Sequence, residues 1–356
     1  MITSVRRLNR FLMLSTAPFV GVILCLLLLQ QPLVIEFTEP VEQYVPSSDI
    51  RSTTEGIKSD LDTAKSLAES TSSSIQRTTE LYNSTSKTMQ SIANMTAAQA
   101  KKPEAVYNRR IQAKLGVPYE VVDSDRIRIE LFKVNPGTYH GFAMKIKLKD
   151  PSAMQMALDD TLGSSQTTLQ AVLRGGAVAG INAGGYAESG GKRYPLSTTV
   201  QDGKYVSGFH PSIKDLAFVG LNKEGKLIGG KYFSKYALDQ QEPVFGATFV
   251  PMLMKNGNKT VIPSKWKNTP RRAPRTVIGN YKDDQLLILV IDGYNEKGSS
   301  GATLEELQHK MYTLGVQDAY NLDGGGSTSL VLNGKVVNDP SDGNLRKVPT
   351  HFLFYE

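Results

Sequence analysis

The sequence predicts an α+β domain with mixed sheets, preceded by a membrane-spanning helix and a helical stalk. Three observations carry that expectation. Nineteen consecutive uncharged residues run from Phe11 to Leu29. A stretch from Ile50 to Gln99 has no proline, no glycine after Gly56, and a seven-residue repeat. Beyond Pro118 the chain shows many short apolar runs closed by Gly/Asn turns and few long helical patterns. The 356 residues therefore divide into 1–10 (cytoplasmic tail), 11–29 (anchor helix), 30–49 (linker), 50–115 (stalk) and 118–356 (globular domain).

The Phe11 to Leu29 run is long enough to cross the hydrocarbon core of a bilayer as a helix. Arg6, Arg7 and Arg10 precede it and no acid occurs before Glu36, so the positive-inside rule keeps the N-terminus in the cytoplasm and exports the rest. A cleaved signal peptide is the competing reading. Gln30-Gln31-Pro32-Leu33 lacks a small-residue cleavage pattern, which favours an uncleaved single-pass anchor. The single cysteine, Cys25, lies inside this run, so the exported part has no disulfide and its core alone must hold it.

In the stalk, Ile50, Ile57, Ala64, Thr71, Thr78, Thr85 and Ile92 recur every seven residues. Leu61, Ala68, Ile75, Tyr82, Met89 and Thr96 follow four residues after members of that series. A sustained heptad of this kind predicts a coiled coil that joins copies of the chain and lifts the domain off the membrane; the threonines make the seam weak, and a frayed spacer is the alternative.

In the globular part, Arg126 to Lys133 and Phe142 to Lys149 read as strands joined through Asn135-Pro136-Gly137, and Ser152 to Asp160 reads as a helix. Ala177 to Ile181 is an apolar run that opens into Asn182-Ala183-Gly184-Gly185-Tyr186. Pro274 to Gly279 reads as a strand, turns at Lys282-Asp283-Asp284, and returns as the buried strand Leu286 to Ile291, which ends at Asp292-Gly293. Thr303-Leu304-Glu305-Glu306 is a capping box for a helix with Leu304, Leu307, Met311 and Leu314 on one face and Gly315 as its stop. Val316 to Leu322 supplies a returning strand, giving a βαβ unit with parallel strands that both end in a carboxylate, Asp292 and Asp323. Ligands of α/β units sit at that edge. A hairpin centred between Asp283 and Asp284 would set Arg275 opposite Asp292, where a guanidinium offers a planar fork to phosphate or carboxylate oxygens. After Asp323 come Gly324-Gly325-Gly326-Ser327, whose backbone amides form a concavity suited to an anion.

Together these segments resemble the phosphodiester glycosidase family: Asn182 to Tyr186, Pro274 to Gly279, Asp292-Gly293, Gly301 to Leu307, Asn321 to Ser327, Asn333 to Asn338 and Pro340 to Gly343 occur in the family's order. The chain departs from the pattern where Tyr186 is followed by Ala187 and Glu188 instead of a second aromatic, and where Arg346-Lys347-Val348-Pro349 stands for the family's Arg-Pro-Val.

The resemblance implies cleavage between a sugar's anomeric carbon and a phosphodiester oxygen, in a phosphate-containing surface glycan. A phosphomonoester is already a good leaving group, so charge stabilisation matters more than a strong general acid. Asp323 is then expected as nucleophile or general base with Asp292 as its partner. Arg275 and the amides of Gly324, Gly325, Gly326 and Ser327 would hold the phosphate. Asn182, Gly184, Gly185 and Thr276 would contact the substrate. The spacing of the two carboxyl groups decides between retention and inversion. The alternative from another class is a non-catalytic glycan-binding or exopolysaccharide assembly protein on the same fold.

No cofactor is expected. The chain has no His/Cys set for zinc and no EF-hand run; Asp292 and Asp323 are the pair best suited to a hard cation such as Ca²⁺. His140, His210, His309 and His351 sit in no motif that suits a catalytic base, and His309 falls on the outer face of the predicted helix. The net charge of +7 comes without a basic run interleaved with aromatics, so attraction to anionic wall polymers or the membrane surface accounts for it and nucleic acid is not an expected partner.

Overall fold

The computed structural model describes residues 19–20, 22–25, 48–100, 102–159, 161–293 and 300–356, which divide into two compact units, Met1–Met89 and Gln90–Glu356. The apolar segment 11–29 lies mostly outside the described residues. Phe19, Val20 and Val22 to Cys25 are helical, and among the described residues no helix is long and apolar enough to cross a membrane.

The first unit holds most of a 53-residue helix, Ser48–Ala100. Its threonine hydroxyls bond back to the preceding turn, Thr71 to the Leu67 carbonyl at 2.7 Å and Thr78 to that of Ser74 at 2.8 Å. The segment is helical, and Ile57, Leu61, Ile75, Tyr82 and Met89 of the seven-residue series are exposed on the single chain.

The second unit is layered around an eight-stranded sheet, with the strand order Glu120–Asp123, Ile127–Val134, Gly141–Leu148, Leu286–Ile291, Arg275–Asn280, Asp318–Asn321, Met252–Lys255, Asn258–Lys259. One face of this sheet packs on the Leu304–Leu314 helix. Thr303 and Glu306 form its capping box, Gly315 closes it in the left-handed conformation, and Leu304, Leu307, Met311 and Leu314 bury against Val277, Leu287, Leu289 and Ile291. Each such side chain contributes about 1.5–3 kcal/mol of burial. The Lys102–Leu115 helix joins this layer through Ile111, so the core draws on residues before Pro118.

The opposite face packs on two five-stranded sheets. Ile129, Met144, Ile278 and Ile288 of the large sheet meet Met154, Ile181 and Phe352 of one and Val219, Phe245 and Ala247 of the other in a single core. The first small sheet contains Leu330–Leu332, Ala179–Asn182, Thr350–Phe354 and Met154–Leu158, and its outer face is covered by the Thr168–Gly175 helix.

Three expectations are corrected. Sheets mixing parallel and antiparallel ladders were expected, but every pairing among the described strands is antiparallel. The strands Leu286–Ile291 and Asp318–Asn321 do run parallel on either side of the helix crossover, but Arg275–Asn280 lies between them and pairs antiparallel with both. A hairpin formed before the crossover fills the gap that a simple βαβ unit would close. Ser152 to Asp160 is not a helix. Pro151–Ala153 is a single 3₁₀ turn and Met154–Leu158 is a strand, because Met154 and Met156 alternate into the core while the backbone pairs with Thr350–Phe354. Finally, Arg275 faces Ile291 and not Asp292, since the turn centres on Asp283 with Tyr281 bonded to Gln285.

Candidate active site

Asp323 stands where the chain passes from the large sheet to a small one. The chain leaves the large sheet after Asn321 and re-enters a small one at Leu330; the Gly324 to Ser327 turn is this crossing. Its approach is too tight for side chains. A Cβ on Gly324 would lie 2.9 Å from the Pro274 carbonyl oxygen, Gly325 has φ +60°, and a Cβ on Gly326 would collide with the Arg346 guanidinium and the Asp342 carboxylate.

The Asp323 amide donates to the Ala183 carbonyl at 3.0 Å, tying the large sheet to a small one. Its Oδ1 accepts the Gly324 amide at 3.0 Å, and Oδ2 is buried. Burial pushes the carboxyl up to about 6, against the pull of the nearby Ser327 hydroxyl, the Gly324 amide, Arg346 and Arg193. Both cations are held in place. Arg346 Nη2 donates to Asp342 Oδ2 at 2.7 Å, and Arg193 donates from Nη1 to the Lys347 carbonyl and lies with its guanidinium carbon 5.0 Å from the Tyr186 ring centre.

Several expected substrate contacts are occupied by protein. Asn182 is fully buried. Its Oδ1 accepts the Thr276 hydroxyl at 2.7 Å and the Ser329 amide at 3.1 Å, and its Nδ2 donates to the Asp323 carbonyl at 2.6 Å. Asn182 and Thr276 therefore fasten the Asp323 turn instead of facing a ligand. Gly184 and Gly185 serve close packing: Cβ atoms there would lie 2.6 Å from Ala247 Cβ and 2.5 Å from the Phe249 ring. Of the turn's amides, Gly324 is spent on Asp323, Gly325 donates to the Pro274 carbonyl at 2.9 Å and Ser327 to that of Gly324 at 3.2 Å, which leaves Gly326. The Ser327 hydroxyl is buried beside the Asp323 carboxyl, whose pKa it pulls down. Arg275 is buried with Nη2 donating to the Pro270 carbonyl at 3.0 Å, and its Cδ lies 3.7 Å from where a Gly324 Cβ would stand. Its stem supports the turn from below, whereas Arg346 and Arg193 supply the main positive charge at Asp323.

Asp292 is also buried, and it lines a different space. Its Oδ1 accepts the Asp339 amide at 2.8 Å, and its Oδ2 lies 3.8 Å from His140 Nε2. Burial raises its pKa against the pull of the Asp339 amide and His140, and Asp323 is not among its main influences. Asp292, His140, Phe142, Asn338 and Asp339 line a cavity of about 500 Å³. The two carboxylates are thus held by different partners, Asp292 by Asp339 and His140 and Asp323 by the glycine turn. Among the described residues no group of three or more His, Cys, Asp or Glu is placed to hold a metal ion.

A family model described as phosphodiester glycosidase matches residues 175–355, half of the chain, and includes the whole Asp323 junction. The chain belongs to the phosphodiester glycosidase family. Mouse N-acetylglucosamine-1-phosphodiester alpha-N-acetylglucosaminidase is 31% identical over 163 residues, which are 41% of this chain and 30% of that protein. An uncharacterised SPbeta prophage-derived protein of Bacillus subtilis is 25% identical over 246 residues, 66% of this chain and 36% of that protein. The chain thus spans about a third of the length of these relatives. The zebrafish N-acetylglucosamine-1-phosphodiester alpha-N-acetylglucosaminidase catalytic domain, auto-inhibited by its pro-peptide, shares the fold: it superposes with a TM-score of 0.53 at 21% identity, over 68% of this chain and 89% of that one.

In this member of the family, sequence reasoning missed Arg346 and Arg193. Arg346 was legible as the arginine of a changed Arg-Pro-Val segment. Arg193 follows from a Gly190-Gly191 hairpin that sets it opposite Glu188, a cross-strand pairing of unlike charges.

Proposed function

We propose that this phosphodiester glycosidase hydrolyses sugar-1-phosphodiester linkages in an extracytoplasmic glycan or teichoic-acid-like polymer. The observation that carries the reading is a buried carboxylate, Asp323, beside two fixed guanidinium groups. Asp323 acts as the nucleophile at the anomeric carbon or as the base that takes a proton from the attacking water. The bond from the anomeric carbon to the phosphodiester oxygen breaks, its electron pair stays on that oxygen, and Arg346 with Arg193 stabilises the phosphomonoester that leaves. A carboxyl near 6 is mostly ionised at neutral pH and still basic enough to accept a proton. Asp292 and His140 face the adjoining cavity, where hydroxyl groups of the substrate would find acceptors and donors.

The nineteen uncharged residues from Phe11 to Leu29, with three arginines before them, support a membrane anchor that leaves the domain outside. The Ser48–Ala100 helix with its exposed seven-residue series supports a stalk that pairs with other copies.

The test is release of free sugar from a panel of sugar-1-phosphodiesters by the parent and by Asp323→Asn. Release by the parent alone is the expected result. No release by a folded parent, or an Asp323→Asn variant that keeps full biological activity, would replace hydrolysis with glycan binding or assembly.

A further inference from the structure

Beneath the Asp323 turn runs a buried polar chain that the proposed reaction does not touch. Thr168 and His351 are both fully buried and Ser329 nearly so. His351 Nε2 lies 3.1 Å from the Val348 carbonyl oxygen, which only accepts, so the ring proton sits on Nε2. Nδ1 lies 3.1 Å from the Thr168 hydroxyl oxygen and shares a hydrogen bond with it. Thr168 Oγ1 shares a 2.5 Å hydrogen bond with Ser329 Oγ, and the Ser329 hydroxyl also lies in donor position 3.2 Å from the Ser327 carbonyl oxygen. The backbone amide of Ser329 donates to Asn182 Oδ1, and Asn182 Nδ2 donates to the Asp323 carbonyl. His351 and Asn182 also face each other across paired strands. A series of hydrogen bonds leads from a helix start and a strand of the small sheet to the residue proposed to carry the reaction.

Apolar side chains would fill this space at lower desolvation cost, and a buried network fixes one geometry where packing alone permits several. We propose that Thr168 and His351 are positioning residues for Asp323, acting through Ser329 and Asn182 to hold the glycine turn in the arrangement that aims the carboxylate. The proposal rests on Asp323 being the reactive carboxylate.

The experiment is the titration of the Asp323 carboxyl in the full chain, followed by ¹³C NMR of aspartate-labelled protein, for the parent, Thr168→Val and Thr168→Ser. Valine keeps the volume and deletes the hydroxyl; serine keeps the hydroxyl. The expected result is a midpoint moved by about half a unit in Thr168→Val and restored in Thr168→Ser, because a displaced turn changes the burial and the Gly324 hydrogen bond of the carboxyl. With a cleaved substrate, kcat falls about tenfold in Thr168→Val with KM within about twofold, and Thr168→Ser recovers it. An unchanged titration in a folded Thr168→Val protein overturns the proposal. Ser329→Ala, which removes only the hydroxyl, carries the same test if Thr168→Val does not fold. A parent that cleaves nothing while the titration still shifts would sink the hydrolytic reading and leave the positioning role standing.

Discussion

Replacing Asp323 with asparagine should make this protein more stable while abolishing its reaction. The side chains have the same shape, and the asparagine oxygen still accepts the Gly324 amide. The carboxyl is held at about 6 in the fold against 3.8 in a free chain. The native state therefore binds the proton more tightly than the unfolded state, and this contribution is fully present below 3.8 and lost as pH rises through 6. A shift of this size corresponds to about 3 kcal/mol. His351 acts in the opposite sense. Burial pushes it down from 6.5 to about 4, so its contribution is present above 6.5 and lost as pH falls through 4, again about 3 kcal/mol. In the parent the two nearly cancel between pH 4 and pH 6. Asp323→Asn removes one of them. The variant should match the parent near pH 4, exceed it by about 3 kcal/mol above pH 6.5, and show the rising slope that His351 imposes. Urea unfolding followed by the fluorescence of the single tryptophan, Trp266, at several pH values measures the difference directly, and exposed carboxylates common to both proteins drop out of it. Parallel stability curves for the two proteins across this range would refute the buried-carboxylate account.

Gly326→Ala should displace the Arg346–Asp342 pair and lower kcat/KM about a hundredfold, with retention of the fold checked by circular dichroism. Arg346→Met removes a cation acting on Asp323, so the acid limb of the pH–rate profile should move to higher pH; an unmoved limb would exclude Arg346 from the site. Asn182→Ala leaves the Thr276 hydroxyl and the Ser329 amide without their acceptor in a buried place, at a cost of about 2–4 kcal/mol measured by chemical unfolding. Deleting residues 50–99 should convert a crosslinkable oligomer into a monomer, and monomers from the intact chain at membrane density would remove the coiled-coil reading.

Much of the second unit was legible because local chemistry and tertiary structure agree there. The Leu304–Leu314 helix has its cap, stripe and stop written in order, and Leu286–Ile291 is apolar throughout because both its faces are covered. Asp323 was legible because three glycines mark a crossing where Gly324 approaches backbone closely and Gly325 takes a positive φ. Met154–Leu158 was not, since helix-compatible residues became a strand only through pairing with a segment almost two hundred residues away. The roles of Arg275 and Arg193 escaped for a related reason: which guanidinium reaches a carboxylate depends on where a strand's neighbour ends and on a one-residue register, and neither is a local property. Asn182 was found as important and given the wrong partner, because an amide that holds a turn and one that holds a sugar look alike in a sequence.

That double use of the junction separates two kinds of descent. A lineage that abandoned hydrolysis for glycan recognition would be free to discard the acid at position 323, and would gain stability by doing so, but it could not discard Asn182, Thr276 or Ser329 without loosening the seam between sheets. Among family members with this fold, an intact Asn182 fastening beside a missing Asp323 would mark a retired enzyme, whereas the loss of both would mark a domain that has rebuilt the crossing itself.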